Sequence, residues 1–211
     1  LINQGIKREC GGLHSAKIIL HSVDFAEIEE LQQQARWHEA GKILGDCAQG
    51  LEQAGADFMM ICTNTMHKVS DTVAARISVP LIHIADATAE KIVEDGVSSV
   101  GLLGTGFTME EDFYRGRLTD RFGLQVLIPG QADRGIVHDI IFRELCLDRI
   151  RDESREKYRK IARSLAGQGA EAVILGCTEI SLLLRPEDAD LPLYDTTAIH
   201  AEKAVQVITG K

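Results

Sequence analysis

The chain has 211 residues, 45% hydrophobic and 26% charged, and no apolar run approaches the ~20 residues that a membrane helix needs. Its 23 Lys and Arg face 32 Asp and Glu, a net charge of −9, which argues against a broad basic footprint for nucleic acid or an anionic membrane. Five cysteines without C-x-x-C or Cys/His pairs at metal spacing point to a reduced, cytoplasmic setting and to no metal centre.

Taken in chain order, Leu1–Glu9 has the pattern of a helix interior and Lys17–Val23 that of a strand. A helix is expected over Trp37–Ala54, then an apolar strand over Asp57–Cys62 and another over Leu81–Ile84. The second half predicts strand Ser99–Leu103, helix Thr108–Phe122, strand Leu124–Ile128, helix Glu153–Gln168, strand Ala172–Gly176 and strand Leu193–Tyr194. Runs that are apolar on both faces suit strands buried inside a parallel sheet. Their alternation with helices predicts an α/β fold with helices on both faces of each sheet.

The chain is also internally duplicated. LEQAGADFMMICTNT (51–65) aligns without gaps onto LAGQGAEAVILGCTE (165–179), an offset of 114 residues that pairs Thr63 with Cys177 and Cys62 with Gly176. PLIHIADATAEKIV (80–93) aligns in the same way onto PLYDTTAIHAEKAV (192–205). Two copies of one unit imply two small domains rather than one. In the second copy Gly101 precedes Cys177 by 76 residues, whereas only 62 residues precede Thr63. The glycine equivalent to Gly101 would therefore fall about 13 positions before residue 1, so a first strand and its Gly-rich loop are expected ahead of Leu1.

Ligands of parallel sheets bind beyond the carboxyl ends of the strands. There the two copies place Cys62-Thr63-Asn64-Thr65 and Cys177-Thr178-Glu179. Backbone N–H groups at a following helix start would hold a carboxylate and lower a thiol's pKa. Two duplicated strand ends suggest a site with two opposed catalytic groups. Thr105 and Thr108 follow a Gly turn and suit either capping or binding, as do Asn64 and Thr65. Short GLLGTG (101–106) lacks the third glycine of a dinucleotide fingerprint. His67, His83 and His200 form no H-x-x-x-H pair and suit supporting roles, while Cys10, Cys47 and Cys146 have the context of structural residues.

CTNT (62–65), LLGT (102–105), GCTE (176–179) and DTTAIHA (195–201) resemble the aspartate/glutamate racemase family, which works without pyridoxal phosphate. The stretches GGLHSAKIILHSVDFAEIEELQ (11–32) and TMEEDFYRGRL (108–118) favour its aspartate racemase or broad-specificity branch over glutamate racemase. The resemblance implies two pseudo-symmetric α/β/α domains, each with a parallel four-stranded sheet and with the active site in the cleft between them. It places the first domain at 1–96 plus 196–211 and the second at 97–195. It further implies a homodimer, no cofactor, a free amino acid, aspartate or glutamate, as the small molecule bound and racemised, and two opposed acid/base groups flanking Cα.

One departure matters: where the family's first motif is Cys-Asn-Thr, this chain has Thr63-Asn64-Thr65. Registering the motif there, as the repeat also does, favours Thr63 as acid opposite Cys177 as base. Cys62 is the alternative to Thr63, but as a neighbouring strand residue it would point to the other face. Expected substrate contacts are Asn64, Thr65, Met66, Thr105, Thr108, Thr178, Glu179 and Gln32. Arg115, Arg117 and Arg149 are candidates for a distal carboxylate, and Gln32 suits a less strictly acidic substrate. Rival readings are a hydantoin racemase or a maleate isomerase or decarboxylase on the same scaffold, and an amino-acid-binding protein that has lost one acid/base group.

Overall fold

A computed structural model describes residues 1–211. In order, the elements are α1 (Ile2–Cys10), α2 (Phe25–Gln33), α3 (Trp37–Gln53), β1 (Met59–Met60), α4 (Ser70–Ala74), β2 (Leu81–Ile82), α5 (Ile84–Glu94), β3 (Ser99–Gly104), α6 (Gly106–Glu110), α7 (Asp112–Phe122), β4 (Gln125–Leu127), α8 (Gln131–Arg143), α9 (Asp152–Gly167), β5 (Ala172–Gly176), α10 (Ile180–Leu183), β6 (Leu193–Asp195) and α11 (Thr196–Thr209). No helix is long and apolar enough to cross a membrane.

The chain forms two compact units. One comprises residues 1–61, 66–83 and 201–211, the other 62–65 and 84–200. In the first, parallel strands β1 and β2 make a two-stranded sheet. Its core gathers Ile28, Leu31, Ala40, Ala48, Met66, Val69 and Val73 from α2, α3, the 3-10 turn Thr65–Val69 and α4. In the second, a parallel four-stranded sheet in the order β4-β3-β5-β6 carries the larger core. Every residue of β3 and β5 is buried, as befits inner strands covered on both faces.

The duplication recurs in the hydrogen bonding. Met59 pairs with Leu81 in the first unit and Val173 with Leu193 in the second, the pairing that the sequence repeat requires. The strand entries match as well: Met59 N–H donates to Pro80 O at 2.8 Å, and Val173 N–H donates to Pro192 O at 2.9 Å. Before each strand the helix ends in the same turn, with Gly55 at φ 93° and Gly169 at φ 104°. A side chain is strained in that left-handed region, so both copies use glycine.

Three expectations need correction. Lys17–Val23 is not a strand, and the first unit has two strands rather than four. Ile18, Ile19 and Leu20 are exposed and no neighbouring strand pairs with them. Apolar β-propensity without a hydrogen-bonding partner does not make a strand. The helix expected over Thr108–Phe122 is broken at Glu111, whose backbone is extended (φ −95°, ψ 152°), into α6 and α7. Helix α6 begins earlier than expected, capped by Thr105, whose Oγ1 accepts the Thr108 N–H at 3.3 Å.

Candidate active site

The carboxyl ends of β3, β5 and β6 lie side by side, each followed by a polar residue: Thr105, Cys177 and Thr196. Gly104 pairs with Gly176 across β3 and β5. A Cβ on Gly104 would lie 2.9 Å from Gly176 O, and one on Gly176 would lie 3.0 Å from Leu103 O and 3.3 Å from Thr108 Cγ2. The two bare strand ends therefore let α6 settle tightly on the sheet and bring Thr108 beside the turn that carries Cys177.

The segment 62–65 packs with this unit. Thr65 Oγ1 lies 3.0 Å from Thr105 Oγ1 and 3.5 Å from Thr108 Oγ1, and the latter two are 3.2 Å apart. All three threonines are buried. The result is a triangle of hydroxyls that can turn their protons towards an anion. Asn64 Nδ2 donates to Thr196 Oγ1 at 2.9 Å, and Thr196 Oγ1 donates to Leu175 O at 2.9 Å, which ties Asn64 to the end of β5. Asn64 Oδ1 is buried without a hydrogen-bond partner. An unsatisfied buried acceptor is costly, and this one suits an ammonium or amine donor. Thr196 was not singled out from sequence, although its place directly after a strand in DTTAIHA was a usable signal.

Cys177 is half-buried, and its Sγ donates to Glu179 Oε2 at 2.9 Å. Thr178 Oγ1 donates to the same oxygen at 2.7 Å. Cys62 is exposed and Thr63 half-buried. Both lie beyond the end of β1 at Met60, so strand alternation cannot decide between them. Gln32 and Met66 belong to the first unit, where Gln32 Nε2 donates to Met66 Sδ at 3.1 Å. Arg117 is held by Asp86 through bonds of 2.5 and 2.7 Å, Arg115 lies 3.7 Å from Asp112, and Arg149 is exposed. No group of three or more His, Cys, Asp or Glu is placed to hold a metal ion.

Residues 1–204 match the family model for Asp/Glu/hydantoin racemases. The chain belongs to that family. A Yersinia pestis protein described as a candidate Asp/Glu racemase is 51% identical, with a TM-score of 0.92 over 99% of this chain and 90% of that one. An aspartate racemase homologue from Pyrococcus horikoshii OT3 is 34% identical, with a TM-score of 0.83 over 99% and 91%. A broad specificity amino-acid racemase from Bacillus subtilis (strain 168) is 24% identical over 174 residues, covering 79% of this chain and 71% of that protein.

Within this racemase framework the state of Cys177 departs from expectation. Its thiol is pushed well above the ordinary range, chiefly by burial and then by the Glu179 carboxylate, which repels a thiolate and accepts the S–H bond. The one-turn helix α10 that follows has too little dipole to reverse this. Cys146, raised to about 11, owes its shift to burial and then to Glu179. Cys177 therefore rests as a thiol whose proton already points at a carboxylate. Removing that carboxylate in Glu179→Gln should lower the thiol's pKa, so alkylation of Cys177 by iodoacetamide should accelerate at a given pH. Unchanged or slower labelling, followed by mass spectrometry, would contradict this electrostatic account.

Proposed function

We propose that the protein racemises a free amino acid, aspartate or glutamate, without a cofactor, by proton transfer at Cα between Cys177 and Thr63. The observation that carries this reading is the placement of Cys177 beside a buried hydroxyl triangle and an open Asn64 acceptor at the sheet's carboxyl edge. The hydroxyls of Thr65, Thr105 and Thr108 would take the α-carboxylate, and Asn64 Oδ1 the α-ammonium group. Binding the carboxylate by preorganised donors stabilises the negative charge that develops when Cα loses its proton.

Cys177 first passes its proton to solvent by way of Glu179 and then, as thiolate, removes the Cα proton. Thr63 donates a proton to the opposite face and takes one back from water, so no free alkoxide accumulates. The hydroxide formed there neutralises the proton that Cys177 released to solvent at the start, and Cys177 keeps the proton taken from Cα, which restores the resting thiol. The reverse direction uses the same groups, as microscopic reversibility requires. Cys62 takes Thr63's role in the alternative version. A homodimer in the cytoplasm belongs to the same reading, supported by the family resemblance and by five free cysteines.

A broader substrate range is the second reading, favoured by the engagement of Arg115 and Arg117 with Asp112 and Asp86. Incubating L- and D-amino acids in D2O and following Cα–H exchange by NMR tests both readings. Thr63→Ala is expected to lose about 10²-fold or more of the exchange and racemisation rate, with Cys62→Ala near wild type. Loss confined to Cys62→Ala would remove Thr63 from the mechanism. Exchange with neutral amino acids at rates near that of aspartate would establish the broader range.

A further inference from the structure

Helix α6 has five residues, too few to hold its own geometry in water, yet it carries Thr108 and is capped by Thr105. Its stability must come from what it packs against. Arg134, His138 and Phe142 stand at four-residue intervals on α8 and so share one face. Two of them grip α6 at opposite ends. Arg134 Nε donates to Glu110 Oε1 at 2.7 Å, while its Nη1 donates to Pro129 O at 2.8 Å. At the other end the Gly106 N–H donates to His138 Nδ1 at 3.0 Å. The imidazole is held by Phe142, with ring centres 4.8 Å apart, and by the edge of Phe107 at 6.2 Å.

Gly106 is the first residue of α6 and follows Thr105 directly. Its N–H is one of those that a helix start leaves unpaired. Accepting it requires Nδ1 without a proton, which fixes the tautomer with hydrogen on Nε2 if the ring is neutral. A bond at this amide sets the direction in which the chain leaves β3, and hence where the Thr105 hydroxyl points. Sequence offered no motif for this: His138 and Gly106 are 32 residues apart and meet only through the packing of α8 beside β3 and α6.

We propose that His138 is a positioning residue for the hydroxyl triangle: by accepting the Gly106 N–H it holds Thr105 and Thr108 in the orientation that receives a substrate carboxylate. The proposal rests on the functional reading above for its effect on substrate, but not for the clamp itself. His138→Asn keeps an acceptor near the place of Nδ1. His138→Gln carries its acceptor further out, and His138→Leu has none.

The experiment compares the three variants with wild type in racemisation kinetics and in hydrogen–deuterium exchange of the Gly106 amide, with thermal unfolding as a check on folding. His138→Leu and His138→Gln should raise KM about tenfold, the weight of one hydrogen bond, with a smaller change in kcat and faster exchange at Gly106. His138→Asn should restore both KM and protection. An unchanged KM, or loss of kcat and KM performance without rescue by Asn, would overturn the proposal. If wild type racemises no amino acid, the functional reading falls; unaltered Gly106 exchange in the Leu variant then overturns the clamp, and faster exchange rescued by Asn upholds it.

Discussion

Cys177→Ala is expected to abolish exchange of the substrate Cα–H with solvent, lowering the rate by about 10²–10⁴-fold, the range attributable to one general acid/base group. The thiol is the titratable group that stands at the carboxyl end of β5, and it is already hydrogen-bonded to Glu179. Its replacement removes a proton carrier without adding volume. Cys177→Ser should be similarly impaired, because a hydroxyl is a far weaker acid than a thiol. Cys146→Ala is the control, since it removes a neighbouring thiol and leaves the site's hydrogen bonds intact. The measurement is deuterium incorporation at Cα in D2O, with racemisation followed by chiral chromatography. Retention of exchange in Cys177→Ala within a few-fold of wild type would reject the assignment.

Thr105→Val should lower kcat/KM by about 10²-fold, the loss typical of one donor aimed at developing oxyanion charge, and Thr108→Val should act in the same direction. Valine has nearly the shape of threonine, so packing at these buried sites is conserved. The stability cost separates the two roles of Thr105. Its Oγ1 also accepts the Thr108 N–H, and loss of such a cap costs about 1 kcal/mol. Against a typical domain stability of roughly 5–15 kcal/mol, that leaves the protein folded. Urea unfolding should therefore show a small change beside a large kinetic one, and Thr105→Ser should recover much of both. A loss of activity no larger than the loss of stability would reduce Thr105 to a cap.

Much of the architecture is legible in the sequence. Strand β5 runs over the predicted residues 172–176, β3 and α3 differ from expectation by one residue at one end, and α9 by one at each end. These are long amphipathic or two-sided apolar patterns, whose residue types mark deeply buried elements along the chain itself, and β3 and β5 find strands on both sides. Lys17–Val23 has no strand beside it, and a strand exists only with a partner. The break at Glu111 was hidden because residues on both sides of it have helical character, and the change of direction comes from how α6 seats on Gly104 and Gly176.

The candidate site shows the same division. Thr65, Thr105 and Thr108 are each legible from motif and position, but that their hydroxyls form a triangle follows from the packing of segment 62–65 against Thr105 and α6. The ionisation of Cys177 went against expectation because proximity to a helix start is visible in sequence, while burial is not. Glu179 was legible as a neighbour two residues on, yet its effect on the thiol depends on the side chain turning back to accept the S–H bond.

From sequence alone come the duplication, the α/β grammar, the family resemblance and the two strand ends where chemistry gathers, because these depend on residue type and on spacing along the chain. Tertiary structure decided which strands pair, that α5 packs with the second unit, that Asn64 hangs from Thr196, and that Cys177 rests as a thiol. Each of these depends on contacts between residues far apart in the chain or on exclusion of water from a side chain. The energies that govern them arise only when the elements are brought together.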